Sequence, residues 1–421
     1  MAAKLQLAKS KPIIIGIGGG AGKTSVCKLL SIILREKYKV KASGGLNTET
    51  GVPLSILNLP PNDYSFFDWT RIGLLIPIKL MTQWKKYDFC IAEMAIEKPN
   101  DMDYLLKIIK PKIAALTNIT LEHSENFDPF VRDKKEQEKE VLKLIEKEEG
   151  KLIQNLPPDG VAILNIDDEK IAKLKTKSKK ITVSIKNETA DIFVKKIKIS
   201  QKETNLEIVS NEKIYKSKLR PLSNAYIHTI LITLGLAKAC GIKISEAIEI
   251  IEKKFTLPPG RLSIFEGTKG TTIIDSSYNA QPIAVLDALE FLATLGKNKR
   301  KVAILGDMRE LGKESEKSHL KVAQKLKEVA DFSIIIGPLM KKYIAPTLKK
   351  EKLPHKTFKN FTQSKEFIKK EIKTGDIILV KGSQNTLLLE RVVEMLLENK
   401  KEKRKLCRQR PFWEKRREEI P

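Results

Sequence analysis

The sequence predicts an α/β protein of two domains, each a parallel sheet covered by helices, and three observations carry that prediction. An apolar strand at 12–16 runs through a glycine-rich turn into an amphipathic helix at 25–37. Short apolar strands then alternate with helical segments to about residue 120. After Leu257-Pro258-Pro259-Gly260, whose prolines and glycine mark a hinge, a second strand and helix series begins.

Taken in order, the first strand is carried by Ile13-Ile14-Ile15, and the helix after it puts Val26, Leu29, Leu30, Ile33 and Leu34 on one face. Residues 66–81 are apolar but interrupted by Asp68, Arg71 and Lys79. They read as an amphipathic or partly exposed insertion, with membrane contact as a lesser reading. Further strands follow at 88–94 and 113–118. Residues 191–219 change character, with two-residue alternation in Ile197-Lys198-Ile199 and Leu206-Glu207-Ile208 and a turn at Asn211. A small antiparallel appendage is expected there. Helices at 227–239 and 245–254 complete a central domain over 11–254, which follows a short leader at 1–10. A Rossmann-like C-terminal domain over 255–398 takes its strands from 271–275, 301–306, 333–337 and 376–381. The last stretch, 399–421, is dominated by Lys and Arg around Pro411-Phe412-Trp413 and is expected to be a mobile or weakly docked tail.

Bulk properties exclude several classes. The apolar fraction of 41% over 421 residues suffices for ordinary cores, so the chain is folded rather than disordered. No apolar run reaches the roughly 18 residues that span a bilayer, and the N-terminus lacks the apolar stretch and cleavage site of a secretion signal. Cys27, Cys90, Cys240 and Cys407 lie far apart and form no ligand spacing, which argues against a disulfide framework or a zinc site and for a cytoplasmic setting. The net charge of +26 favours polyanions, yet lysines alternate with glutamates, as in Lys134-Lys135-Glu136-Gln137-Glu138-Lys139-Glu140. No basic motif interleaved with aromatics is present, so no specific nucleic acid is expected.

The chemistry begins at Gly16-Ile17-Gly18-Gly19-Gly20-Ala21-Gly22-Lys23-Thr24. Small residues let backbone N–H groups converge on a phosphate, the helix dipole favours its charge, Lys23 can reach the outer phosphates and Thr24 can hold Mg²⁺. The strict P-loop pattern requires Gly at position 17, where Ile stands, so Gly19, Gly20, Ala21, Gly22, Lys23 and Thr24 must carry the reading. A dinucleotide fingerprint also fits Gly16, Gly18 and Ala21, but it needs an acid at the end of the next strand, and Lys39-Val40-Lys41-Ala42-Ser43 has none. ATP is therefore favoured, with a dinucleotide or a merely structural tight turn as rivals. Glu93 ends the apolar strand Phe89-Cys90-Ile91-Ala92, where a carboxylate needs a partner, and metal binding is one way to meet that need.

Beyond the loop, a series of runs falls in an order that resembles the Mur ligases. They are Asn47-x-x-x-Gly51-Val52-Pro53-Leu54, Glu93-Met94, Thr117-Asn118-Ile119 with His123, Leu164-Asn165-x-Asp167-Asp168 and Pro259-Gly260-Arg261. Asp275-Ser276-Ser277-Tyr278-Asn279-Ala280, Leu305-Gly306-Asp307-Met308-x-Glu310-Leu311-Gly312 and Val380-Lys381-Gly382-Ser383 continue the series. The resemblance covers about residues 12 to 397 and points within the family to the branch that adds D-alanyl-D-alanine to a muramyl peptide. It implies an ATP- and Mg²⁺-dependent amide-bond ligase, acting on a peptide or amino-acid amine and a carboxylate through an acyl phosphate; separately, the chain is expected to be a monomer. Lys23, Glu93 and His123 are then the catalytic set, and Thr24, Glu93 and His123 the metal set. Asn165, Arg261, Asp275, Tyr278 and Asn279 would contact the nucleotide; Lys381 and Ser383 would position the amine. The resemblance also implies that the second domain swings about the hinge. Each residue has a plainer alternative: His123 in an exposed loop, Arg261 in a salt bridge, Asn165 shaping a turn, Tyr278 and Asn279 packing a loop.

Three departures stand out. About ten residues precede the first strand, too few for the domain that grips the uridine nucleotide in this family, so a separate chain or a changed substrate is expected to fill that gap. The family often uses a carbamylated lysine as a metal-bridging carboxylate, and Glu149 aligns there, with a surface-helix role as its alternative. The Asp-Asp pair and His-Asn helix signature of the family are represented loosely, by Asp275-Ser276 and Ser223-Asn224-Ala225-Tyr226-Ile227-His228. A folate-type polyglutamate ligase or an inactive ATP-binding relative therefore remains an alternative.

Overall fold

The computed structural model describes residues 2–43, 49–62, 65–82, 86–121, 124–131, 136–383 and 386–420, which divide into two compact units. Unit 1 comprises the chain to Lys198 with Asn205–Leu219 and Ala225–Phe255. Unit 2 comprises Ile199–Thr204, Arg220–Asn224 and the chain from Thr256.

Unit 1 begins with α1 (Ala2–Ser10), β1 (Ile13–Gly18), α2 (Lys23–Leu34), β2 (Val40–Ala42), α3 (Gly51–Ile56) and α4 (Phe66–Thr82). There follow β3 (Phe89–Glu93), α5 (Asp101–Ile108), β4 (Ile113–Leu116), α6 (Gln137–Gln154), β5 (Val161–Asn165), α7 (Glu169–Ala172) and β6 (Lys179–Ser184). It closes with β7 (Ile192–Ile199), β8 (Thr204–Ser210), β9 (Lys213–Leu219), α8 (Asn224–Ala239) and α9 (Ile244–Lys254). The strands form one sheet in the order β2-β3-β1-β4-β5-β6-β7-β8-β9, parallel from β2 through β7. The alternating residues of 191–219 thus form the far edge of the main sheet.

β3 and β4 are buried along their whole length, which explains their nearly unbroken apolar sequence. α6 is amphipathic, turning Val141, Ile145, Leu152 and Ile153 into the core. β1 lies between β3 and β4, with Ile17 opposite Glu93 and Gly18 opposite Leu116. The loop after β1 therefore opens at the carboxyl ends of central strands, where open α/β sheets bind ligands.

Unit 2 contains β10 (Ser263–Gly267), β11 (Thr271–Ser276), α10 (Pro282–Leu295), β12 (Lys301–Gly306), α11 (Ser315–Val329), β13 (Phe332–Ile336) and α12 (Pro338–Tyr343). It continues through α13 (Ala345–Lys350), β14 (His355–Phe358), α14 (Phe361–Glu371), β15 (Ile377–Lys381), α15 (Glu390–Leu396) and α16 (Pro411–Glu419). Its sheet order is β10-β11-β15-β12-β13-β14, with only β10 antiparallel to its neighbour among the described pairs.

The stretch from 399 onward corrects the expectation of a mobile or weakly docked tail. Leu406 joins the apolar core of unit 2, Cys407 is buried, and Arg408 enters the interior to pair with Glu390 on α15 at 3.0 Å. Pro411 then starts α16, where proline costs no helical hydrogen bond.

Candidate active site

Only four residues separate β1 from α2. Gly19 and Gly22 have φ of 101° and 100°, the left-handed region that favours glycine. At Gly19 the fit is tight as well: a Cβ would lie 2.6 Å from Thr117 Oγ1 and 2.8 Å from the Asn118 carbonyl. Asn118 splints the loop, its carbonyl accepting from Gly20 N–H at 2.8 Å, its Oδ1 from Ala21 N–H at 3.1 Å, and its Nδ2 donating to Ala21 O at 2.9 Å. Lys23 Nζ donates to the carbonyls of Gly19 and Gly20 at 2.5 and 2.6 Å, folding its charge back over the loop. A cation and the amino end of a 12-residue helix thus converge on one small volume, an arrangement that suits a polyphosphate.

Beside it, Thr24 Oγ1 donates to both oxygens of Glu93, at 2.9 and 3.1 Å. Glu93 is 2% exposed at the end of β3, and Ser43 Oγ accepts its backbone N–H. A hydroxyl and a carboxylate held together at the loop mouth form a hard-oxygen donor pair of the kind Mg²⁺ prefers. His123, expected to share this chemistry, lies outside the described residues, as does Asn47 of the first quoted run.

Glu149 is not on the surface of α6. It is buried, and its Oε2 accepts the Gly19 N–H at 2.8 Å. A carboxylate therefore stands at the loop, in the region where the resemblance implies a modified lysine. Its neighbour Lys151 pairs outward with Glu148 and Asp103 at 2.6 and 2.5 Å.

After β5, Asn165 uses both ends of its amide inside the protein: Nδ2 donates to Thr117 O at 3.1 Å and Oδ1 accepts from Asp167 N–H at 3.2 Å. In this structure its amide shapes the turn, the plainer of the two roles expected for it. Asp168 caps α7 and accepts Ile119 N–H at 2.8 Å, tying this turn to the chain after β4. Asp167 accepts from Ser184 Oγ and Ile185 N–H and meets His228 Nε2 at 2.7 Å. Burial pushes the Asp167 carboxyl up, but the bonds from His228, Ser184 and Ile185 outweigh it and hold the group well below the usual carboxylate range.

In unit 2, two guanidinium groups approach the Tyr278 ring, Arg261 at 4.7 Å and Arg408 at 5.3 Å from its centre. Asp275 is fully buried, with Oδ1 accepting from the Ser277 amide and hydroxyl and Oδ2 without a hydrogen-bond partner. Burial raises its carboxyl to about 6. Asp275, expected to contact the nucleotide, is thus not presented on an open surface. Lys381, opposite Ser276 in the β11–β15 register, donates to Ser276 Oγ at 3.0 Å and to the Asn279 carbonyl at 2.9 Å. Ser383 is buried, with its hydroxyl 3.3 Å from that of Thr386 and its N–H donated to Asp307 O. Asn279 Oδ1 accepts from Ala280 N–H. The structure therefore brings Arg261, Tyr278, Asn279 and Lys381 around one loop.

Burial, aided by the positive charge of Arg261, lowers the Lys381 ammonium to about 7. Its folded value lies below the unfolded value near 10.4. Between the two, the unfolded chain holds a proton that the folded one has released, so stability rises with pH. We expect the native chain to gain stability relative to Lys381→Met between pH 7 and 9, by up to about 1.4 kcal/mol per pH unit. Urea unfolding of both at several pH values measures the slope; parallel curves would place the lysine in a solvated environment.

Asn118, the Asp167–His228 pair and Arg408 are absent from the residues expected at the site. Asn118, Asp167 and His228 do fall within quoted runs, but their partners lie up to 97 positions away, beyond the reach of spacing arguments.

Comparison with known proteins fits this geometry. Residues 17–237 match the Mur ligase middle domain, and residues 260–384 match the model described as "Mur ligase, glutamate ligase domain". The UDP-N-acetylmuramoyl-tripeptide--D-alanyl-D-alanine ligase of Escherichia coli (strain K12) is 25% identical over 400 residues, covering 92% of this chain and 77% of that protein. The enzyme of the same name from Buchnera aphidicola is 30% identical over 308 residues, covering 71% of this chain and 57% of its own. In fold, the chain is similar to the MurF ligase of Thermotoga maritima solved with ADP (TM-score 0.74, 24% identity, 96% of this chain and 83% of that one). It is also similar to MurF from Acinetobacter baumannii (TM-score 0.75, 20% identity, 94% and 78%). With a glycine cradle, a threonine–glutamate pair and both domain models matched in sequence order, this chain belongs to the Mur ligase family.

Proposed function

We propose that the chain is an ATP-dependent amide-bond ligase that joins D-alanyl-D-alanine, or a similar amine, to the carboxylate of a muramyl peptide during peptidoglycan precursor synthesis. The observation that carries this reading is the Gly19–Thr24 cradle with buried Glu93 within hydrogen-bond reach of Thr24. The names of the Escherichia coli and Buchnera relatives support the choice of substrates.

In this reading a substrate carboxylate oxygen attacks the γ-phosphorus of ATP, and the bond to ADP breaks with its electron pair. The amine nitrogen then attacks the acyl carbon, a proton leaves that nitrogen, and inorganic phosphate departs as the amide forms. The protein supplies position and charge rather than covalent chemistry. Backbone amides of the loop orient the phosphates, and Lys23 faces the charge that develops on the transferred group. Thr24 and Glu93 would hold Mg²⁺, with His123 as a further ligand. When bound, the ion neutralises phosphate charge. Arg261, Tyr278 and Asn279 are assigned to the nucleotide, and Lys381 with the Ser383 turn to the amine. Glu149 fixes the first amide of the loop and would serve as a native carboxylate in the role of the modified lysine.

A phosphate-release screen over pairs of carboxylate and amine substrates tests the reading. ADP and phosphate should form only when a muramyl-peptide carboxylate and a D-alanyl-D-alanine-like amine are both present. Turnover with a folate and glutamate instead would move the chain to a different substrate class. ATP binding without turnover for any pair would make it an inactive relative.

A further inference from the structure

α4 presents an apolar stripe to solvent. Phe66 and Phe67 are 80% and 82% exposed, Leu74 68% and Met81 72%, with Ile78 also exposed. Phe67, Leu74, Ile78 and Met81 share one side at helical spacing. The opposite side is anchored: Ile72 is buried, and Leu75, Ile76 and Leu80 pack on the core of unit 1. The outward orientation is therefore set by packing, and it leaves a contiguous patch of the kind that marks an interaction surface.

Charge selects the partner. α1 and α4 together carry Lys4, Lys9, Arg71 and Lys79 and a single acid, Asp68; Lys4 lines a pocket with Glu49, Asp101 and Asp103, and Arg71 pairs with Asp68, which leaves Lys9 and Lys79 as the basic groups beside the stripe. Asp68 is buried, accepts Asn62 N–H at 2.6 Å and pairs with Arg71 at 2.6 Å, so it adds no negative charge to the exposed stripe. Lys9 Nζ donates to Leu80 O at 2.7 Å, which fastens α1 beside the far end of α4. A stripe of Phe, Leu, Ile and Met with an aromatic end and basic flanks has the composition of a helix that lies in a membrane interface. At 17 residues α4 is about 25 Å long. No described helix is long and apolar enough to cross a bilayer. A second copy of the chain is disfavoured as the occupant, since each copy carries a net charge of +26 and like charges repel, whereas an anionic surface gains from the same charge.

We propose that α4 docks this protein onto the surface of an anionic phospholipid bilayer, the apolar stripe entering the acyl boundary and Lys9 and Lys79 meeting the headgroups. The test is flotation of the full chain with vesicles of phosphatidylcholine alone or of phosphatidylcholine with one-third phosphatidylglycerol. Binding should require the anionic lipid, and Phe67→Ser/Leu74→Ser/Met81→Ser should weaken it at least tenfold without shifting the melting temperature. Failure of the native chain to float with anionic vesicles overturns the proposal. So does equal binding by the triple variant, which would reduce the effect to charge adsorption. Sedimentation equilibrium completes the test: a dimer that the triple variant abolishes would assign the stripe to a second copy instead.

Discussion

Lys23→Ala is expected to lower ATP turnover by about a thousandfold while leaving the chain folded. The Lys23 ammonium lies within 2.5–2.6 Å of two loop carbonyls, so it is already at the place where the outer phosphates would sit. Removing it deletes a positive charge from a site where transferred charge accumulates, and no other lysine in the loop can replace it. Stability should change little, because the side chain is only partly buried and its bonds are to the loop itself. Lys23→Arg should not restore the rate, since a planar fork cannot occupy the point position of an ammonium. Single-turnover phosphate release, read beside a melting curve, checks both halves. Full turnover in the alanine variant would remove the loop from the chemistry.

The second large effect is structural. Arg408→Ala should destabilise unit 2 by about 3 kcal/mol, because it takes the hydrogen-bonded counter-charge from buried Glu390 and leaves only Arg417, 3.6 Å from its Oε1. Glu390 is fully buried and Arg408 nearly so. The guanidinium donates to Glu390 Oε2 at 3.0 Å, to Ser277 O at 3.3 Å and to Tyr278 O at 2.6 Å. Burial raises the Glu390 carboxyl even with Arg408 beside it, a sign that the pair is held at the expense of hydration. The double variant Arg408→Met/Glu390→Gln removes both charges and should recover much of the loss. Urea unfolding monitored separately for each unit should show the single variant shifting unit 2 and sparing unit 1. An unchanged unit 2 transition would mean the pair is solvated in the folded chain.

Local signals in the sequence carried far, and long-range ones did not. The loop was legible because its conformation depends on glycine at a few adjacent positions and its chemistry on Lys23 and Thr24 beside them. Glu93 was legible because a carboxylate at the end of an apolar strand has to be satisfied. Glu149 could be aligned but not placed: its contact with Gly19 spans 130 positions and depends on how α6 packs against β1. The last stretch was misread for a compositional reason. Its run of lysines and arginines hides Leu406 and Cys407, the short apolar pair that seats it, and nothing local reveals that Glu390 awaits an arginine. Asp275 shows a similar limit, since a strand-end acid reads alike whether it faces a ligand or the interior.

The fastening of the Ser277–Tyr278 carbonyls by Arg408 also bears on how unit 2 is assembled. Those carbonyls and the side chain that fastens them are 131 and 130 positions apart, so the loop emerges from the ribosome long before its latch does. Until then Glu390 and the loop must wait half-formed, with a large chain loop still to be closed at an entropic cost. Unit 1 carries the same burden, since Glu149 reaches Gly19 across 130 positions and Lys254 reaches Glu36 across 218, so each unit completes its central loop only after a distant segment has been made.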